Sequence, residues 1–118
     1  MGNIKCETID FLVNNAGVMA FPKRRLSKDG FEMQYAVNHL GHFYLTYLLW
    51  KKLRNSQFFK VITVSSIAHK MESFTKPAPK LNFEDMNFEK MSYTPSSSYS
   101  YSKIYNVLFT HALAEKIA

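Results

Sequence analysis

Lys60-Val61-Ile62-Thr63-Val64-Ser65-Ser66 is the stretch on which the fold turns. Val61, Ile62 and Val64 nearly fill the run before it closes on two hydroxyl side chains. A strand apolar on both faces belongs to a parallel sheet covered by helices on each side. Residues 60–64 are therefore expected to form a buried parallel strand. Upstream, Ile9-Asp10-Phe11-Leu12-Val13 has the same β-branched and aromatic character and stops at Asn14-Asn15-Ala16-Gly17, a turn signal. Between the two strands, residues 31–53 carry Met33, Val37, Leu40, Tyr44, Leu48 and Leu49 at close to helical spacing. Ser27 is the expected N-cap of that helix, and Gly41 inside it implies a close backbone approach.

Downstream, residues 67–98 hold Pro77, Pro79, Pro95 and the run Ser96-Ser97-Ser98. They read as a long loop with a short helical turn within 81–90, and loops of that length are usually functional. A last helix is expected over residues 99–118, with Tyr101, Ile104, Tyr105, Leu108 and Ala112 facing inward. The order strand, helix, strand, loop, helix is that of an α/β fold with parallel strands, in one domain spanning residues 1–118. Two strands bury too little to stand alone. The expectation is a slice of a larger unit, or a chain that needs a partner.

Of the 118 residues, 47% are hydrophobic and 20% charged, a folded-domain composition that excludes a disordered chain. Lys and Arg outnumber Asp and Glu by 15 to 9, a net charge of +6. Lys51, Lys52 and Arg54 fall where a helix ends and complement its dipole. The tightest cluster, Lys23-Arg24-Arg25 with Lys28, reads as a solvated basic face. Nucleic acid is not an expected partner, whereas association with an anionic membrane surface is compatible with the charge. The single cysteine, Cys6, excludes an intrachain disulfide and suits an intracellular setting, cytoplasmic or membrane-associated. No run of about 18 apolar residues is present to span a bilayer. The first six residues lack the apolar core of a signal peptide, and Cys6 stands where a myristoylation site has Ser or Thr.

Tyr99 and Lys103 are four apart and share one face of a helix. A phenol with a pKa of about 10 becomes useful as a general acid or base near neutrality when an ammonium group favours its phenolate. Ser66 ends a strand, and in open α/β sheets ligands bind beyond the carboxyl ends of strands. Asn15, Ala16 and Gly17 end the other strand on the same edge and are small enough for a flat ligand to approach the backbone. Asn38 lies mid-helix, where Asn is unfavourable, and such local conflicts concentrate at functional sites. His39 and His42 are three apart, but zinc needs three or four ligands and neither His69 nor His111 sits in a motif, so no metal is expected.

Taken together, these residues resemble the short-chain dehydrogenase/reductase superfamily. Asn14-Asn15-Ala16-Gly17 after an apolar strand matches its signature loop, and Asn38, Ser66, Tyr99 and Lys103 match its catalytic tetrad in order. Val37-Asn38-His39-Leu40-Gly41-His42-Phe43, Val64-Ser65-Ser66-Ile67-Ala68-His69 and Ser102-Lys103-Ile104-Tyr105-Asn106-Val107-Leu108-Phe109-Thr110 are similar to the retinol dehydrogenase-like subgroup. The resemblance runs from about Ile9 to Ala118 and implies a partial Rossmann-type, doubly wound parallel sheet.

It also implies hydride transfer between NAD or NADP and a small lipophilic alcohol or carbonyl compound. Tyr99 would exchange the proton and Ser66 would hold the substrate oxygen. Lys103 would lower the Tyr99 pKa and bind the nicotinamide ribose. Asn38 would keep the long helix kinked and anchor a water leading from Lys103. Asn15, Ala16 and Gly17, with Tyr99 and Lys103, would border the cofactor. Phe74, Phe83, Phe88 and Tyr93 would supply an apolar wall for substrate. A homodimer would form through the two long helices. The family's glycine-rich loop has no counterpart among Gly2, Gly17, Gly30 and Gly41. The chain is thus expected to be a central slice of the enzyme that by itself binds neither NAD nor NADP usefully, does not fold stably as a monomer and is inactive. The rival expectation is a truncated, inactive paralogue serving as an interaction module.

Overall fold

The computed structural model describes residues 4–73, 76–77 and 80–118. Strand β1 (Phe11–Asn14) pairs in parallel with β2 (Lys60–Thr63), setting Leu12 opposite Val61 and Val13 opposite Ile62. The connection between them holds a short helix α1 (Met33–Tyr35), a π-helical turn (Ala36–Leu40) and α2 (Gly41–Arg54). After β2 come a 3-10 turn (Ile67–His69) and a small antiparallel pair, β3 (Met71–Ser73) with β4 (Lys76–Pro77). A second 3-10 turn (Phe83–Asp85) precedes the long helix α3 (Pro95–Ile117).

Helix α2 covers one face of the β1–β2 pair. Leu12, Leu49 and Leu53 are buried there, with Ile9, Leu45, Trp50, Phe59 and Val61 packed around them. Side chains alternate along a strand, so the opposite face carries Phe11, Val13 and Ile62, which are 61%, 54% and 46% exposed. The expected burial of β2 on both faces is not met: no described element lies over that second face. A second cluster, Phe88, Tyr101 and Tyr105 with Tyr35, Leu81, Met86, Met91, Tyr93 and Ile104, joins α3 to the loop before it.

Past the π turn the expected inward set is met only in part. Leu49 is buried as expected, but Tyr44 and Leu48 are exposed and Leu45, one residue after Tyr44, packs on the core. A π turn inserts one residue into the helical ladder and rotates everything after it. It closes where the Gly41 N–H reaches the Ala36 carbonyl. A Cβ on Gly41 would stand 3.2 Å from that oxygen, so the close approach expected at this glycine is to its own helix.

Ser27 does not cap the helix. Its hydroxyl accepts from the Phe31 N–H within a turn, and the buried carboxylate of Glu32 caps α1 by accepting from Gln34 and Tyr35. Helix α3 starts four residues before the expected Tyr99. Thr94 and Ser97 form a reciprocal capping box and Pro95 takes the first helical position, where its missing N–H costs nothing. Tyr101 and Tyr105 are buried as expected, but Leu108 and Ala112 are exposed. The buried face of α3 is instead polar: Ser98, Ser100, Ser102, Lys103 and Asn106.

Candidate active site

The site sits beyond the carboxyl ends of β1 and β2, where α3 crosses the π turn. Asn38, at the centre of that turn, is fully buried. Its amide is bonded on both sides to Val18: Nδ2 donates to the Val18 carbonyl at 2.9 Å and Oδ1 accepts from the Val18 N–H at 2.8 Å. Nδ2 also reaches Ser102 Oγ at 3.0 Å, and that hydroxyl donates to the Tyr99 carbonyl at 2.7 Å. Asn38 thereby ties the loop after β1 to the turn of α3 that carries Tyr99 and Lys103. Both lone pairs of the Asn38 carbonyl are taken by side chains. His42 Nδ1 donates at 3.0 Å and Asn106 Nδ2 at 2.9 Å.

Gly17 brings the loop after β1 against these groups. A Cβ there would lie 3.3 Å from Asn38 Oδ1 and 3.8 Å from Lys103 Nζ. Lys103 is 4% exposed, and burial lowers its pKa. Its Nζ stands 5.5 Å from the centre of the Tyr99 ring, within cation–π range, and 3.4 Å from the Val64 carbonyl. Tyr99 is half-buried, with Lys103 one turn along the helix.

Ser66 follows β2 in extended backbone geometry (φ −156°, ψ 159°) and caps the 3-10 turn, its hydroxyl accepting from the Ala68 N–H at 3.2 Å. Its neighbour Ser65 points the other way and donates to the Lys103 carbonyl at 2.9 Å. Gly17, Asn38, Tyr99 and Lys103 are thus brought together, and Ser66 adjoins them through Val64 and Ser65. Asn15 and Ala16 lie exposed at the same strand end. Of the expected substrate wall, Phe83 is exposed, whereas Phe88 is buried in the aromatic cluster and Tyr93 donates to the Phe21 carbonyl. Phe74 lies outside the described residues.

Sequence reasoning missed Asn106. Its Nδ2 donates to the carbonyls of Asn38 and Val64, and its Oδ1 faces His39 Nδ1 at 3.2 Å. It clamps the π turn, the end of β2 and α3 together. The signal was present, since Tyr99, Lys103 and Asn106 recur at helical spacing on one face. Asn14 was missed as well: it is buried and its Nδ2 donates to Thr46 Oγ1 at 3.1 Å, linking β1 to α2. His39 and His42 spend their Nδ1 atoms on these internal bonds, and burial is the main cause lowering the pKa of each.

Residues 3–78 match the family model described as short chain dehydrogenase. The chain belongs to the short-chain dehydrogenase family. It is 43% identical over 111 residues to "Retinol dehydrogenase 13" of Homo sapiens, covering 94% of this chain and 31% of that protein. It is 46% identical over 109 residues to "Retinol dehydrogenase 14" of Mus musculus, covering 92% of this chain and 30% of that protein. A solved structure of an uncharacterized protein from Mycobacterium Paratuberculosis superposes with a TM-score of 0.81 at 42% identity, over 96% of this chain and 38% of that one. The chain therefore spans about a third of the length of the curated relatives it matches. A parallel β1–β2 pair with α2 packed on it is consistent with a partial Rossmann-like α/β fold.

Proposed function

We propose that the protein is an oxidoreductase acting on a lipophilic, retinoid-like alcohol or carbonyl compound with NAD or NADP. The observation that carries this reading is the convergence of Gly17, Asn38, Tyr99 and Lys103 beyond the strand ends. The names of the relatives support the substrate class. The site fits a nicotinamide cofactor. Gly17 leaves open the space a Cβ would fill beside Lys103 Nζ, and the exposed Asn15 and Ala16 extend that small-residue edge. Asn15, Ala16, Gly17, Tyr99 and Lys103 would hold the cofactor, which when bound supplies or accepts the hydride.

The residues then divide the remaining work. Tyr99 gives its phenolic proton to the substrate oxygen in reduction and takes it back in oxidation. Lys103, whose ammonium stands 5.5 Å from the centre of the Tyr99 ring, would bind the nicotinamide ribose. Ser66 donates a hydrogen bond to the same oxygen, its lone pair engaged by the Ala68 N–H. Asn38 holds the parts in register through Val18 and Ser102.

Two features bear on partners. The groove between α2 and α3, about 740 Å³, is lined by Phe43, Tyr47, Trp50, Phe109 and Leu113 and suits a second copy packed through the two helices. The exposed Lys23, Arg25 and Lys28 suit an anionic membrane surface. The open sheet face favours a second reading, an interaction module without activity. Turnover separates the two. An intact enzyme that carries these residues together with the family's glycine-rich loop should oxidise a retinoid-like alcohol with NAD or NADP. Tyr99→Phe should remove nearly all of that turnover, by about 10²–10⁴-fold, while cofactor binding persists. A variant keeping more than about a tenth of the parental kcat would overturn the role given to Tyr99. A parent without turnover on such alcohols and carbonyls would favour the module.

A further inference from the structure

We infer that His69 is a positioning residue for Ser66, an inference that rests on the catalytic reading above. The Ser66 carbonyl accepts twice from the same residue: from the His69 main-chain N–H at 3.0 Å and from His69 Nδ1 at 2.5 Å. A carbonyl only accepts, so Nδ1 carries the proton. The two donors pin the peptide plane between Ser66 and Ile67. Through the Ile67 torsions that plane orients the next peptide, whose Ala68 N–H is the group holding Ser66 Oγ. The imidazole therefore acts on the Ser66 hydroxyl through the two peptide units of the turn, without touching it.

The 3-10 turn by itself is a weak support. It is three residues long, and i→i+3 hydrogen bonds have poorer geometry than α-helical ones. The pairing with β1 ends at Val64, whose N–H donates to the Asn14 carbonyl at 3.0 Å, so the turn itself lies beyond the ladder. The imidazole supplies the missing constraint from outside the ladder. A hydroxyl that must meet a substrate oxygen loses rate steeply when displaced: about 1 Å of misplacement costs up to about 10²-fold.

The test is a double-mutant cycle in the intact protein. His69→Leu should lower kcat about tenfold with KM for the cofactor unchanged. His69→Asn, whose side-chain amide reaches close to the Nδ1 position, should restore most of the loss. In a Ser66→Ala background, His69→Leu should cost almost nothing more, because the group it positions is gone. An equal loss in both backgrounds would show that His69 acts independently of Ser66 and would overturn the inference. Unchanged turnover in Ser66→Ala itself would overturn the catalytic reading instead. A readout independent of activity runs beside the cycle. Amide exchange at Ala68, followed by NMR, should speed up in His69→Leu and stay slow in His69→Asn. Unaltered exchange in His69→Leu would also overturn the inference.

Discussion

Ser65 Oγ donates to the main-chain oxygen of Lys103 at 2.9 Å, so the end of β2 uses one serine to seat α3 and turns the next towards the open edge. The two serines should therefore fail differently. Ser65→Ala removes one part-buried hydrogen bond and should lower stability by about 1 kcal/mol, with turnover reduced only modestly. Ser66→Ala removes the cap of the 3-10 turn and should cost stability by a comparable amount, but it should also remove most of the turnover. Thermal melts and steady-state rates on the two variants decide the matter, and the reverse order would mean that the serines exchange roles.

Gly17→Ala places a methyl group 3.3 Å from Asn38 Oδ1, tighter than ordinary contact. Asn38 cannot retreat, because its amide is bonded to Val18 on both sides. The loop must move outward, away from Lys103. We expect cofactor affinity to fall about tenfold, a loss typical of a sub-ångström displacement in a positioned site. Binding titrations with NAD and NADP on parent and variant measure it.

Lys103 is held in the fold against its own solvation. Burial lowers its pKa, and its carbonyl contact at 3.4 Å is long. A group whose folded-state pKa is depressed costs stability as pH falls below its unfolded value of about 10.4. At neutral pH the ammonium is therefore a net cost to the fold. Lys103→Met keeps the volume and removes the charge, so the variant should melt higher than the parent while losing turnover. A lower melting temperature would show that Nζ stabilises more than its burial costs.

Asp85 should govern the acid limb of stability. Its carboxylate accepts main-chain N–H groups from Met91, Lys90 and Glu89 at 2.7, 2.9 and 2.8 Å. The Met91 bond leads in holding its pKa below the usual carboxylate value. That contribution is complete above the unfolded value of about 3.9 and drains away as pH falls through the lower folded value. Asp85→Asn should melt below the parent at pH 7, and the gap should close below about pH 4. A gap independent of pH would exclude the carboxylate as its source.

The strands and helices were legible because β2 is a dense apolar run and the helix before it repeats at helical spacing. Tyr99, Lys103, Ser66 and Asn38 were legible through their order and separation. What sequence periodicity could not deliver was the π turn. Its extra residue leaves Tyr44 and Leu48 outside and turns Leu45 in beside the expected Leu49, and nothing in a smooth period announces an insertion. The polar underside of α3 escaped for a related reason. Inward positions were sought among apolar residues, whereas Ser102 and Asn106 are buried because each has a designated partner. Glu32 displaced Ser27 as a cap because it lies five residues nearer the helix and its carboxylate can reach two N–H groups at once.

That polar underside gives α3 a vernier. A helix held by an apolar stripe can slide by a turn and exchange one greasy contact for another at little cost, because such contacts have no direction. Asn106 entering two carbonyls, Ser102 bridging Asn38 and Tyr99, and the Lys103 carbonyl receiving Ser65 admit only one alignment. Any other strands buried donors and acceptors. The accuracy with which Tyr99 meets its surroundings is therefore inherited from the docking of the whole helix, and a chain that has folded this element at all has already aligned it.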